Sequence, residues 1–147
     1  MMTLLEWSSV WRRYYLPPFP LEGKTVFDIG AGCGETIYFY LLNGAKKVIA
    51  IEIDPVSVGF IEKNALLNGW NVEIINGAFD IATLSTYSYD FMKMDIEGGE
   101  KSLVEYVGDL KPCVIEVHDD ETKERLVSRF GLLPVARVAE GVYLLKK

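Results

Sequence analysis

Asp28, Glu52 and Asp95 each close a short apolar run, and the first of these runs breaks at once into Gly30-Ala31-Gly32-Cys33-Gly34. Alternating glycines let a backbone turn sharply and pass close beneath a ligand. Where such a turn joins a strand to a helix, the free amides of the first helical turn complete a polar socket. Glu52 ends the next run, Val48 to Ile51. A carboxylate at that place can accept hydrogen bonds from both hydroxyls of a ribose. Strand, glycine turn, helix, strand and acid together predict a nucleoside-containing cofactor.

The spacing narrows the choice of cofactor. A dinucleotide fingerprint needs its third glycine at position 35, which is occupied by Glu35. A pyrophosphate there would also lie beside Asp28 and Glu35, and like charges repel at a partly desolvated helix start. A cationic cofactor meets no such repulsion. The pattern Asp-x-Gly-x-Gly-x-Gly resembles motif I of the class I S-adenosylmethionine-dependent methyltransferases. That resemblance implies S-adenosyl-L-methionine as cofactor, with Asp28, Gly30, Ala31, Gly32 and Gly34 along its methionine part. It also implies Glu52 and Ile53 at the ribose, Ala78 or Phe79 at the adenine, and Asp95 at the same crevice.

A second constellation follows the fourth apolar run. Asp95-Ile96-Glu97-Gly98-Gly99-Glu100 brings three carboxylates together, which is costly unless a site or a helix start accommodates them. Glu97 and Glu100 suit the positive end of a helix expected from Glu100 to Val107. Asp95 stands at the strand end itself, on the crevice shared with Asp28 and Glu52. His118, the one histidine of the chain, follows the fifth run beside Glu116. Asp95, then Glu97 and His118, are the candidates for removing a proton from the methyl acceptor. These three have no recognisable metal-ligand spacing, and no metal is expected.

Lys93-Met94-Asp95-Ile96-Glu97-Gly98-Gly99-Glu100 resembles the K-x-D-x-E-G-x-E signature of FkbM-type methyltransferases, a likeness covering roughly residues 24 to 118. It implies O-methylation of a small molecule or sugar hydroxyl. Gly32 stands where that family often has asparagine. A second reading is an RNA base methyltransferase, since Ile51-Glu52-Ile53-Asp54-Pro55 with Asn64 to Asn68 resembles a stretch of some tRNA methyltransferases. Arg12-Arg13-Tyr14-Tyr15 could stack on and pair with a strand. Against it stand a net charge of −6 and the lack of Asn/Asp-Pro-Pro-Tyr after the fourth run. A third reading is a nucleoside-binding module without turnover.

The elements that position these residues alternate. Strands are expected at 26–29, 46–53, 71–76, 89–94 and 112–117, with helices at 35–43, from Asp54-Pro55 to Asn68-Gly69, at 80–84, 100–107 and 119–130. Asp119 with Lys123, and Glu121 with Arg125, are spaced for surface ion pairs on the last of these helices. A hairpin, 132–138 and 142–145, closes the chain. The class I resemblance completes this as an α/β Rossmann-like three-layer sandwich, its seven-stranded, mostly parallel sheet ordered 3-2-1-4-5-7-6 with the last strand antiparallel.

The 147 residues fit one domain, a core from 21 to 147 with a helical appendage over 1–20. Leu4, Trp7, Trp11 and Tyr14 or Tyr15 make residues 3–16 an amphipathic helix, stopped by Pro17-Pro18-Phe19-Pro20, which is expected to roof the cofactor end of the sheet. Cys33 and Cys113 read as free thiols. No signal peptide or membrane span is indicated, so a cytoplasmic protein with a small-molecule acceptor is expected. The oligomeric state is left open.

Overall fold

Val26, Phe27 and Ile29 are sealed from solvent on alternating faces, and the strand that carries them, β1 (Thr25–Ile29), lies at the centre of a seven-stranded sheet. The structure, a computed structural model, describes residues 11–147. β1 pairs in parallel with β2 (Lys47–Glu52) on one side and β4 (Phe91–Met94) on the other. β3 (Val72–Asn76) extends the sheet beyond β2, and β5 (Cys113–Val117) extends it beyond β4, both in parallel. β6 (Leu133–Ala139) forms an antiparallel hairpin with β7 (Val142–Lys146), and β7 inserts between β5 and β6. The order is therefore 3-2-1-4-5-7-6, as expected.

Helices cover both faces, so the central strands are continuous apolar runs instead of alternating apolar and polar residues. Phe27, Ile29, Ile49, Ile51, Met92, Met94 and Ile115 pack on one side. Val26, Val48, Ala50, Phe91 and Val114 pack on the other. Their odd and even positions follow from the two-residue period of a strand.

α1 (Glu35–Leu42) leaves the glycine turn directly, and Asn43 ends it before Gly44 turns left-handed. α2 (Pro55–Asn68) starts as expected at Asp54, whose carboxylate accepts from the Val56 and Ser57 amides. Two helices differ from expectation. α3 (Thr83–Thr86) begins later than residue 80, because the Asp80 carboxylate accepts from the Ala82 amide and its carbonyl from the Thr83 amide, making a turn first. The helix expected over 100–107 is a 3-10 helix, Gly99–Glu105. Glu100 and Leu103 are both fully buried, and three residues per turn stack such a pair on one side.

α4 (Asp120–Phe130) starts at Asp119, which accepts from the Thr122 amide and hydroxyl. That use removes Asp119 from the pair expected with Lys123. Lys123 instead meets Asp120 at 2.5 Å, while Arg125 stays within 3.9 Å of Glu121. No helix among the described residues is long and apolar enough to cross a membrane.

Residues 11–14 are helical, in keeping with the end of the expected first helix; its earlier part, with Leu4 and Trp7, lies outside the described residues. Trp11 packs edge-on against Phe39, with ring centroids 5.4 Å apart. The Tyr15 carbonyl accepts from the Tyr40 hydroxyl, and the Leu16 carbonyl accepts from Lys146 Nζ at the far end of the chain.

Gly30 is where β1 and the segment after β4 come closest: a Cβ there would lie 1.8 Å from the Asp95 carbonyl oxygen, at φ +78°. Gly131 is also left-handed, at φ +66°, but nothing surrounds it. Gly30→Ala should destabilise the fold by about 4 kcal/mol, adding backbone strain to overpacking. Gly131→Ala should cost only about 1–2 kcal/mol. Chemical denaturation of both variants checks the difference, and equal losses would refute the close approach.

Candidate active site

The carboxyl ends of β1, β2 and β4 meet at the glycine turn. The Gly30 and Ala31 amides donate to the Ile51 carbonyl at 2.9 and 3.2 Å, and the Asp95 amide donates to the Ile29 carbonyl at 3.0 Å. Glu52 secures the turn from the side, one carboxylate oxygen accepting from the Gly32 amide at 2.8 Å and the other from the Asp54 amide at 2.9 Å. A carboxylate has about four acceptor sites, so two remain for a ligand's hydroxyls.

Asp28 corrects its expected place. It is fully buried beneath the turn and not on its ligand side. Thr36 Oγ1 donates to one of its oxygens, and Lys93 Nζ lies 3.2 Å from the other as an ion pair without hydrogen-bond geometry. Lys93 also donates to the Gly30 carbonyl. Burial pushes the Asp28 carboxyl up, and the Lys93 ammonium and the Thr36 hydroxyl oppose it. At Gly34, with φ +102°, a Cβ would sit 3.1 Å from the Trp70 ring, so backbone conformation and packing against Trp70 already require this glycine.

Two cavities flank the turn and share Gly30 and Asp95. The smaller, about 360 Å³, is lined by Gly30, Glu52, Ile53, Ala78, Phe79 and Asp95, all expected at the cofactor. Glu97 is at its rim, exposed, with a left-handed φ of 36°. The larger, about 670 Å³, runs over Ala31 and Gly32 between Asp95 and Glu116, with Trp11, Tyr14 and Tyr15 along its wall. The described part of the expected roof thus lines this second cavity. Both volumes lie in the usual range of ligand sites, roughly 300–1,000 Å³. Only Glu35 Oε2, at 3.6 Å, approaches the space a Gly32 side chain would fill. The turn therefore leaves room for a ligand, and a carboxylate-flanked cleft suits a cationic nucleoside.

Asp95, Glu116 and His118 each bring one side-chain atom within 4.8 Å of the others. His118 Nε2 is 3.6 Å from Glu116 and 4.0 Å from Asp95, and the Tyr15 hydroxyl donates to the second Glu116 oxygen at 3.3 Å. Burial, then the charge of Asp95, pushes the Glu116 carboxyl up, with His118 acting against them. Burial also raises the Tyr15 hydroxyl, helped by Glu116. Glu97 does not join this cluster. Glu116, Tyr15, Lys93 and Glu100 were not singled out as site residues from the sequence. Lys93 could have been found as a lone cation in an apolar strand, and Glu116 as a polar residue interrupting another.

These features define the class I S-adenosylmethionine-dependent methyltransferase architecture, glycine turn and strand-end acid included. Residues 14–92, more than half of the chain, match the ribosomal protein L11 methyltransferase (PrmA) family, and the chain belongs to it. The electron transfer flavoprotein beta subunit lysine methyltransferase of Mus musculus is 36% identical over 100 residues, 57% of this chain and 39% of that protein. The ribosomal protein L11 methyltransferase of Aquifex aeolicus is 36% identical over 84 residues, 51% of this chain and 34% of the relative. This chain thus spans about two fifths or less of the length of these relatives. The RNA methyltransferase of Salinibacter ruber, solved in complex with S-adenosyl-L-homocysteine, shares the fold with a TM-score of 0.61 at 18% identity, over 99% of this chain and 91% of that one.

The relatives overturn the expected small-molecule acceptor, because both curated proteins are named for methylating proteins. The likeness to the FkbM type rests on Lys93 to Glu100, beyond the end of the family match at residue 92.

Because the folded state raises the Glu116 carboxyl, it binds a proton more tightly than the unfolded chain. Stability should therefore fall as pH rises from the ordinary glutamate range through the raised value. Glu116→Gln removes this penalty and can still accept from Tyr15. It should raise the melting temperature at pH 7 more than at pH 4, and thermal melts at the two pH values check the sign.

Proposed function

We propose that this chain uses S-adenosyl-L-methionine to methylate an amino group presented by a protein. The observation that carries the reading is the pair of carboxylates, Asp95 and Glu116, facing one cavity beside the glycine turn. Crowding two acids at a partly buried site is unfavourable unless a cation arrives to share them, and a lysine ammonium is such a cation. The ring walls of Trp11, Tyr14 and Tyr15 suit its aliphatic stem and add cation–π attraction. The lysine and ribosomal protein acceptors in the names of two relatives support the same class.

Gly30, Glu52, Ile53, Ala78 and Phe79 would hold the nucleoside half of the cofactor, and Ala31, Gly32 and Asp95 the methionine half. When bound, it supplies an electrophilic methyl group. The chain's own residues then have two tasks: to hold the acceptor nitrogen in line and to take its proton. Asp95, shared by both cavities, is placed to orient the acceptor where they meet.

Glu52→Ala should weaken S-adenosyl-L-homocysteine binding roughly 10- to 100-fold, the worth of hydrogen bonds to a charged group. Calorimetry on the folded variant measures it, and unchanged affinity would show that the ribose is held elsewhere. For the acceptor, the chain should be incubated with labelled cofactor and either ribosomal protein L11, the electron transfer flavoprotein beta subunit, or ribosomal RNA. Label on a lysine in a protein arm is the expected result. Label on RNA alone would replace this reading with nucleic-acid methylation.

A further inference from the structure

Glu100, like Asp28, is a fully buried acid near the site that neither cavity touches. Both of its oxygens are engaged by donors. Oε2 accepts from the Gly98 amide at 2.7 Å, and Oε1 accepts from the His118 amide at 2.9 Å. Oε1 also lies 3.1 Å from His118 Nδ1. A carboxylate that only accepts places the ring proton on Nδ1. The lone pair of a neutral imidazole is then on Nε2, which faces Glu116 at 3.6 Å and Asp95 at 4.0 Å. The His118 side chain is 21% exposed, so the ring joins two cavity-lining carboxylates to solvent.

We propose that Glu100 is a positioning residue that holds His118 as the Nδ1–H tautomer, so that Nε2 carries the acceptor's proton from Glu116 to solvent. This rests on the amino-group reading above. An N–H bond of the acceptor ammonium breaks, its electron pair stays on nitrogen, and the proton passes to a Glu116 oxygen. The Nε2 lone pair then takes that proton, which restores the Glu116 carboxylate, and the imidazolium releases it to water. Glu100 stabilises the imidazolium while it exists, as an opposite charge held in place. The other groups around the ring act in the same direction or not at all. Asp95 faces it from the end of β4 and Glu116 from β5, Tyr15 reaches it only through Glu116, and Lys93 is held by Asp28 and Gly30. Asp119, next in the chain, pairs with Lys101 at 3.3 Å.

The single histidine makes the test direct. Imidazole ¹⁵N shifts of the protein alone, recorded above the ring's titration midpoint, should show Nδ1 protonated and Nε2 bare. The Nε2–H tautomer would overturn the proposal, with no need of cofactor or acceptor. Glu100→Gln, if folded, should lose this preference, and an unchanged tautomer in that variant would equally overturn the proposal. If that variant does not fold, the wild-type tautomer and His118→Gln decide the matter. His118→Gln keeps the main-chain bond to Glu100. It should lower kcat for the protein acceptor roughly 100-fold, the scale of lost proton transfer, while leaving S-adenosyl-L-homocysteine affinity unchanged. Full kcat in that variant would remove His118 from the path. A correct tautomer with no protein methylation would instead leave the Glu100–His118 arrangement standing and fault the acceptor class.

Discussion

The site depends on a buried charge that lines neither of its cavities. Asp28 is sealed under the glycine turn and Lys93 is almost equally buried, with 4% of its side chain exposed. Neither would be tolerated alone: removing one partner of a buried pair costs about 3–5 kcal/mol, because the other is left uncompensated. Lys93 uses its remaining capacity on the Gly30 carbonyl, and Asp28 uses its other oxygen on Thr36 in the first turn of α1. One ion pair thus ties together two neighbouring strands, the turn between β1 and α1, and the helix start. The charges fix the backbone that a nucleoside would lie against.

The larger cavity shows the opposite balance. There Glu116 and Asp95 are close and only partly compensated, so burial and mutual repulsion hold the Glu116 carboxyl up. Under the turn, charge is neutralised to make a rigid floor. Beside it, charge is left in surplus, which is unfavourable for the empty fold and suits a cationic guest. The two environments are joined through Asp95, whose amide completes the sheet beyond Ile29 and whose carboxylate borders both cavities.

The fold was legible because its signals are local. Strand runs, the Asp54 and Asp119 caps and the glycine stops each follow from a few adjacent residues, and the strand order followed from the resemblance to a known class. The lining of the smaller cavity was legible for the same reason: Glu52, Ile53, Ala78 and Phe79 all sit at strand ends. The larger cavity was not. It is made by Tyr15 reaching Glu116 across 101 positions of sequence, and by Glu100 turning inward to His118 where the sequence suggests a helix start. Asp28 was misplaced because a motif reports which residues gather, not which side of the backbone they occupy. Only burial distinguishes a carboxylate that supports a turn from one that touches what lies on it.

The Lys146 ammonium on the Leu16 carbonyl brings a further consequence. The residues around the smaller cavity run from Gly30 to Gly99, whereas those around the larger begin at Trp11 and extend to Leu144. On a growing polypeptide, all the residues of the first cavity emerge while the hairpin is still unmade. The second needs β7 to return and fasten the segment that holds Leu16. The cavity built between residues 30 and 99 can therefore assemble before the hairpin leaves the ribosome, and the one that includes Trp11 and Leu144 must wait for it.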